Sequence, residues 1–374
     1  MQFTKEYQDI LYRYWEKYVQ GDEPFPDSVP EIRPIIFDSW KRARQNRVSP
    51  LEVKDRILSK AELSATISYN RDLTSVAHSY IQNLYTLIKG SNFIIALTDP
   101  HGNVIDIVGQ DTMIQERAKQ SGLTIGANRS AEYSGTSGIG TCLATGQPIQ
   151  IWGCEHYIKP HHDYVCSAAP IRNEAGEIVG CLDIIGPMES VSTHTLGMVC
   201  AAVDGIGKEI KMREAYRKIF VINNQLNSTI QSITSGIIMF DNMGIITQYN
   251  NRAAHILKLA LESMRNQNIA NILDMPTASL DLLAIEKSFN NREFFVISAT
   301  GQKLNLSLSV SIIFNDLHDK ISTVLVFDEL QRIHDMINKI SGFTAKCTFE
   351  TIIGNSTAIQ EMKHLGGMAS QCDS

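Results

Sequence analysis

Residues 92–108 read NFIIALTDPHGNVIDIV. Two apolar, β-rich runs, 92–98 and 104–108, flank Asp99-Pro100-His101-Gly102-Asn103, a cluster of turn-forming residues, so the stretch predicts a β-hairpin. Further strands are expected at 148–152, 164–171 and 178–185, the last two joined by a turn at Asn173-Glu174-Ala175-Gly176-Glu177. Upstream, helical spacing appears from Thr4 to Val19, where Ile10, Leu11, Tyr14 and Tyr18 share a face, and again from Lys60 to Lys89. A further helix, Pro34 to Gln45, opens on a proline that a first helical turn tolerates. A polar helical segment, 111–120, and a glycine-rich stretch ending in Gly135-Thr136-Ser137-Gly138-Ile139-Gly140-Thr141 separate the hairpin from the later strands. Helices around antiparallel hairpins give an α+β class rather than parallel βαβ winding.

Downstream, only isolated glycines oppose a helix from His194 to Ile233. Val203, Ile206, Ile210, Ile219, Leu226, Ile230 and Ile233 return at near-heptad intervals, interrupted by Arg213 and Asn223. Two readings stay open, a dimeric coiled coil and a long amphipathic helix within one chain. A second mixed unit follows. Runs 237–240 and 245–249 flank Asp241-Asn242-Met243-Gly244 as another hairpin, short helices are expected at 252–259 and 269–273, and strands at 293–298, 304–313 and 321–328. An amphipathic helix through Leu330, Ile333, Ile337 and Ile340 ends at Gly342.

At 374 residues the chain has room for two or three domains. Forty acidic against 34 basic side chains leave a net charge of −6, which argues against a nucleic-acid-coating or polybasic membrane surface. No apolar run reaches the roughly 18 residues of a spanning helix, and the charged, aromatic start is not a secretory signal, so a cytoplasmic protein is expected. Seven cysteines, an odd number without a CxxC pair, favour reduced thiols over a disulfide framework.

Three groups of residues invite a chemical reading. GTSGIGT lacks the lysine of a phosphate loop, and a tight loop feeding a helix is the plainer account. Cys154, Glu155, His156, His161, His162, Asp163 and Cys166 offer zinc or iron ligands, but at no standard spacing. Around WGCEHY, a carboxylate, an imidazole and aromatic rings at a strand end can instead wall a cavity for a small polar molecule, or simply pack. Neither a GxSxG elbow nor HExxH occurs, and no triad can be read.

Ser39-Trp40-Lys41-Arg42, GTSGIGTCLATGQPIQIWGCEHY, CSAAPIRNEAGEIVGCLDIIG and HTLGMV resemble the sensory GAF region of bacterial enhancer-binding activators of sigma-54 RNA polymerase, in particular the AcoR/DhaR-like ones. Ser137 stands where the family has asparagine. SITSGIIMFDNMGIITQYNNRAAHIL resembles the opening of a PAS domain, and TFETIIGNSTAIQEMKHL is similar to the start of an AAA+ domain. The Walker A loop, the GAFTGA loop and the helix-turn-helix have no counterpart, so ATP hydrolysis, polymerase remodelling and operator binding are not carried over. The expected chain is therefore a fragment or a natural truncation.

The resemblance implies an N-terminal helical segment (1–69), a GAF domain (70–205), a helical connector (206–224), a PAS domain (225–328), a linker helix (329–342) and an incomplete AAA+ start (343–374). It implies a signal-sensing protein, not an enzyme, with a small metabolite such as acetoin, a polyol or a hydroxyketone in the GAF cavity. The expected pocket residues are Trp152, Glu155, His156 and Tyr157, with Ser137, Cys166 and Asp183 nearby. A homodimer through the connector helices is expected, with sigma-54 polymerase and DNA as partners only of a full-length form. No membrane association, metal or cofactor is expected, and no residue argues for haem or flavin. The alternatives are an interaction module docking a metabolic enzyme's subunit, and a metal or redox sensor using Cys154, His156 and Cys166.

Overall fold

The computed structural model describes residues 4–330, apart from 22, 55, 110–121, 191, 275–284 and 286, together with 352–354 and 356–369. The chain divides into two compact units, 1–219 and 220–374.

In the first unit, β1 (Ile94–Thr98) and β2 (Val104–Val108) form the hairpin at 92–108. Asp99 closes it: its carboxylate accepts from the backbone N–H groups of His101 (2.9 Å) and Asn103 (2.8 Å) and from the Asn103 amide (2.8 Å). Such local bonding is what makes aspartate a turn former. With β3 (Ile149–Trp152), β4 (Tyr164–Arg172) and β5 (Ile178–Pro187) they build an antiparallel sheet of order β2-β1-β5-β4-β3. The α+β reading holds.

Helix α1 (Lys5–Trp15) is capped by Thr4 and runs on into a π-helical turn, Glu16–Gln20. Helix α2 (Pro34–Gln45) starts at its proline. The stretch read as one helix from 60 to 89 is two, α3 (Lys60–Tyr69) and α4 (Arg71–Ile88). Asn70 breaks it by turning its side-chain amide onto the Thr66 carbonyl (2.9 Å), the competition with backbone bonding that makes asparagine a poor mid-helix residue. Helix α3 buries nothing, whereas α4 buries Leu73, Val76, Ala77, Ile81, Leu84 and Ile88. Leu11, Trp15, Ile36 and Trp40 of α1 and α2 are fully buried in one core with Ile95 and Leu97 of β1 and Ile151 of β3. Helices α1 and α2 are thus part of the same core as the sheet.

After β2 come α5 (Ala131–Ser134) and α6 (Gly138–Thr145), and after β5 a single 40-residue helix, α7 (Thr193–Ser232). No helix of the described residues is long and apolar enough to cross a membrane.

The second unit contains β6 (Gly236–Asp241), β7 (Ile246–Tyr249), α8 (Asn251–Leu257), α9 (Ile269–Ile272), β8 (Leu273–Asp274), β9 (Phe289–Ser298), β10 (Lys303–Phe314) and β11 (Lys320–Glu329). Its order, β7-β6-β11-β10-β9-β8, repeats the first sheet's order and adds the two-residue β8 at one edge. Asp241 closes the β6–β7 turn as Asp99 closes the first, accepting from the N–H groups of Met243 and Ile245 (both 2.9 Å). The expected helix at 111–120 and that at 330–340 beyond Leu330 lie outside the described residues; of 343–374 the structure describes chiefly α10 (Thr357–Ala369).

Asn250 joins this unit together. Fully buried, it accepts from the N–H groups of Ile237 (2.9 Å) and Ala253 (2.8 Å) and donates to the carbonyls of Ile230 (3.1 Å) and Ser235 (2.9 Å). Asn250→Ala strips a helix cap and leaves buried backbone groups unpaired, so chemical denaturation should show a loss of roughly 2–4 kcal/mol.

Candidate functional site

A small cavity of about 40 Å³ lies in the first unit, where β4, β5, the start of α6 and the loop after β3 converge. Its polar lining is Arg129, Ser134, Ser137, His156, His161, Cys166 and Asp183, and Leu123, Ile139, Tyr164 and Ile185 complete it. The volume accommodates about three waters or one molecule of a few heavy atoms.

The glycine-rich stretch brings these groups together. Ser137 caps α6, its Oγ accepting from the Gly140 N–H (3.1 Å). At Gly138 an added Cβ would sit 2.6 Å from both Asp183 Oδ2 and Cys166 Cβ, so only glycine lets the first turn of α6 press against β4 and β5. The motif is the tight loop feeding a helix. In the sheet, Cys166 stands opposite Ile185 and Asp183 opposite Ala168, which makes Cys166 and Asp183 diagonal neighbours on one face.

Burial disfavours charge on three of the site's groups, while Arg129 in the lining stays a guanidinium. Burial pushes the Asp183 carboxyl up to about 7, against the pull of bonds from Cys166 and from the Ser167 backbone, and Asp183 Oδ1 has no hydrogen-bond partner. Burial pushes the His156 imidazole down to about 3. Its Nδ1 lies 2.9 Å from the Gly153 carbonyl, which can only accept, so Nδ1 carries the proton and Nε2 faces the Cys166 thiol at 3.4 Å. Burial and the neighbouring Asp183 hold that thiol well above its ordinary value. At neutral pH the cavity therefore offers a thiol, an imidazole with a fixed tautomer, and a carboxyl poised to bind a hydrogen-bond donor.

Of the residues expected from the sequence, Ser137, His156, Cys166 and Asp183 lie together here. Trp152, Glu155 and Tyr157 do not line the cavity, and the placement of these three is a correction. Fully buried Glu155 is gripped by the guanidinium of Arg33, whose Nε lies 2.8 Å from Oε1 and Nη2 2.5 Å from Oε2. The same carboxylate accepts from the Tyr7 hydroxyl (3.1 Å) and the Trp152 N–H (2.9 Å), so none of it faces the cavity. Burial raises the Glu155 pKa while Arg33 pulls it back. The Trp152 carbonyl accepts from Gln8 (3.2 Å) and the Tyr157 carbonyl from the Trp15 indole (2.8 Å). The segment 152–157 thus anchors α1 and α2, and only His156 turns inward.

Sequence reasoning missed Arg129, Ser134 and Tyr164. Ser134 stands directly before the glycine-rich stretch, whereas nothing local marks the other two. Cys154 sits apart from the cavity, its N–H bonded to Gln8 (2.7 Å) and its thiol pushed up to about 11 by burial. Cys154, His156 and Cys166 are not gathered, and among the described residues no group of three His, Cys, Asp or Glu side chains is placed to hold a metal.

Two outcomes follow from this geometry. Arg33→Met leaves a buried carboxylate without its partner and should lower stability by roughly 2–5 kcal/mol in chemical denaturation. An acid whose folded pKa of about 7 lies above its unfolded value, near 4, binds its proton more tightly when folded, so its contribution to stability falls as pH rises across that window. The stability of Asp183→Asn relative to the unsubstituted chain should accordingly climb from pH 4 to 7, reaching on the order of 2–4 kcal/mol at pH 8.

Residues 12–206 match the family described as MimR, N-terminal domain. The chain is 32% identical over 330 residues to the signal-transduction and transcriptional-control protein of Clostridium beijerinckii, covering 88% of this chain and 52% of that one. It is 29% identical over 213 residues to the acetoin dehydrogenase operon transcriptional activator AcoR of Bacillus subtilis (strain 168), covering 56% of this chain and 34% of that one. It therefore spans about half the length of the first relative and a third of the second. Among solved structures, the Escherichia coli DhaR(N)–DhaL complex matches with a TM-score of 0.72 at 16% identity, covering 80% of this chain and 100% of that one, which shows a shared fold. By the match over 12–206, the chain belongs to the MimR N-terminal domain family, and it resembles the sensory region of AcoR- and DhaR-like transcriptional activators.

Proposed function

We propose that the chain is the signal-receiving part of a sigma-54-dependent transcriptional activator, with residues 70–205 a GAF-type sensor, 225–328 a PAS-type domain and 343–374 the start of an AAA+ domain. A small uncharged metabolite occupies the cavity of the first unit. The observation that carries this reading is Asp183: a fully buried carboxyl, with Oδ1 unpartnered, in a cavity already lined by Ser137, His156 and Cys166. Buried polar groups are normally paired, and a ligand hydroxyl supplies the missing donor. Relatives named as regulators of acetoin, glycerol and dihydroxyacetone-kinase operons make acetoin, polyols and hydroxyketones the candidate ligands. A thermal-shift screen with acetoin, glycerol and dihydroxyacetone tests it. At least one should raise Tm, and Asp183→Asn should abolish that rise; a rise untouched by this substitution excludes the cavity.

A homodimer through α7 fits the same reading. Met212, Tyr216, Ile219 and Leu226 are exposed on it, and positions 212, 216, 219, 223, 226 and 230 alternate steps of four and three. Asn223 then occupies an a position, where a polar residue fixes two strands and their register. Leu226→Glu should convert the dimer to monomer in sedimentation, and a monomeric parent chain at tens of micromolar would refute the pairing.

The second reading, a protein-docking module, is favoured by exposed apolar side chains around the β10–β11 turn, Phe314, Leu317 and Ile321. The solved DhaR(N) chain is itself bound to DhaL. Under this reading no metabolite in the screen shifts Tm.

A further inference from the structure

We propose that the first unit carries a second binding site, a groove for a small oxyanion, bounded by α2, the β1–β2 turn and α6. The groove is open, has a volume of about 670 Å³ and shares no lining residue with the cavity around Asp183. That size is ordinary for a small-molecule site.

Arg42 carries the argument. Its Nε and Nη2 atoms are occluded from solvent and have no hydrogen-bond partner, so they meet an anion in the groove once the side chain turns outward. These two nitrogens form the edge with which Arg33 grips Glu155, a fork matched to a pair of oxygens on a carboxylate or phosphate. Its neighbours in the Ser39-Trp40-Lys41-Arg42 motif are all engaged inside the protein. The Ser39 Oγ accepts from Thr136 (2.7 Å), the Trp40 indole donates to the Glu155 carbonyl (2.9 Å), and Lys41 donates to the Asp27 carbonyl (3.1 Å). A desolvated guanidinium edge with nothing to hold is unfavourable, and native structures rarely leave one.

The rest of the groove suits an anion. Arg56 and His101 line it with Arg42, and Glu132 is the acidic side chain among its lining residues. No ion pair joins Glu132 to either arginine among the described residues. The Arg56 Nη1 donates to the Tyr133 hydroxyl (3.4 Å). The wall at 101–103 is rigid: Asn128 donates to the His101 carbonyl (3.1 Å) and to Asn103 Oδ1 (2.8 Å), while its own Oδ1 accepts from the Ser130 N–H (3.0 Å). Gly102, at φ +83°, approaches Ser130 so closely that an added Cβ would lie 2.7 Å from its nitrogen. Preorganised walls reduce the ordering that a ligand must impose.

The ligand class is a small metabolite bearing a phosphate or carboxylate group, and calorimetry on the whole chain at low salt tests it with sodium pyrophosphate and sodium malonate. At least one should bind saturably, more weakly as sodium chloride is added. Tighter pyrophosphate binding identifies a phosphate ligand and tighter malonate binding a carboxylate. Arg42→Gln should weaken binding about tenfold or more. Lys41→Gln removes the same charge outside the groove and should leave binding intact. If Arg42→Gln fails to fold by circular dichroism, Arg56→Gln decides. The proposal is overturned if neither anion binds at millimolar concentration, if both arginine variants bind as the parent does, or if Lys41→Gln weakens binding as much as they do.

Discussion

The fork between Arg33 and Glu155 is the constraint on which the first unit depends. A fully buried carboxylate survives there only because a guanidinium, a phenol and a backbone N–H surround it, and two of these come from the chain's first helical segments. Taking two charges out of water is expensive, and the geometry compensates only while every partner stays in place. That requirement ties α1 and α2 to the segment after β3. The Trp15 and Trp40 indoles add bonds to carbonyls of the same segment. His156 is the next residue after Glu155, so the groups that hold the N-terminal helices and those that line the cavity are joined by a single peptide.

Both sheets arise from one local logic. Each opens with a hairpin whose turn is closed by an aspartate bonding to backbone N–H groups two and four residues on, at Asp99 and at Asp241. That is short-range chemistry, and the hairpins, the strand runs and the α+β class were therefore legible in the sequence. The break at Asn70 and the π-helical turn after Trp15 were not, because a side-chain amide choosing a carbonyl and an extra residue in one turn hardly disturb apolar periodicity.

The site was half legible for an equally physical reason. Ser137, Cys166 and Asp183 sit in stretches that resemblance singled out, and β-sheet register carries the last two to one face. Glu155 carried the same signal as His156, yet its partner Arg33 lies 122 positions away, and nothing in WGCEHY says which side chain turns inward. Arg129 and Tyr164 reach the cavity through tertiary packing alone. The cysteines illustrate the converse. Their clustering with histidines suggests metal ligation, but burial holds both thiols protonated, and Cys154 and Cys166 sit in different surroundings.

Helix α6 is only eight residues long, yet Ser137 and Ile139 at its beginning face the small cavity while Gly140, Leu143 and Ala144 face the open groove. It is a party wall between two compartments. Gly138 leaves it no slack toward β5, so it can yield only by sliding or tilting, and either motion is felt on both sides. Were a ligand to enter either compartment by shifting this helix, reciprocity would require occupancy of the other to change by the same factor.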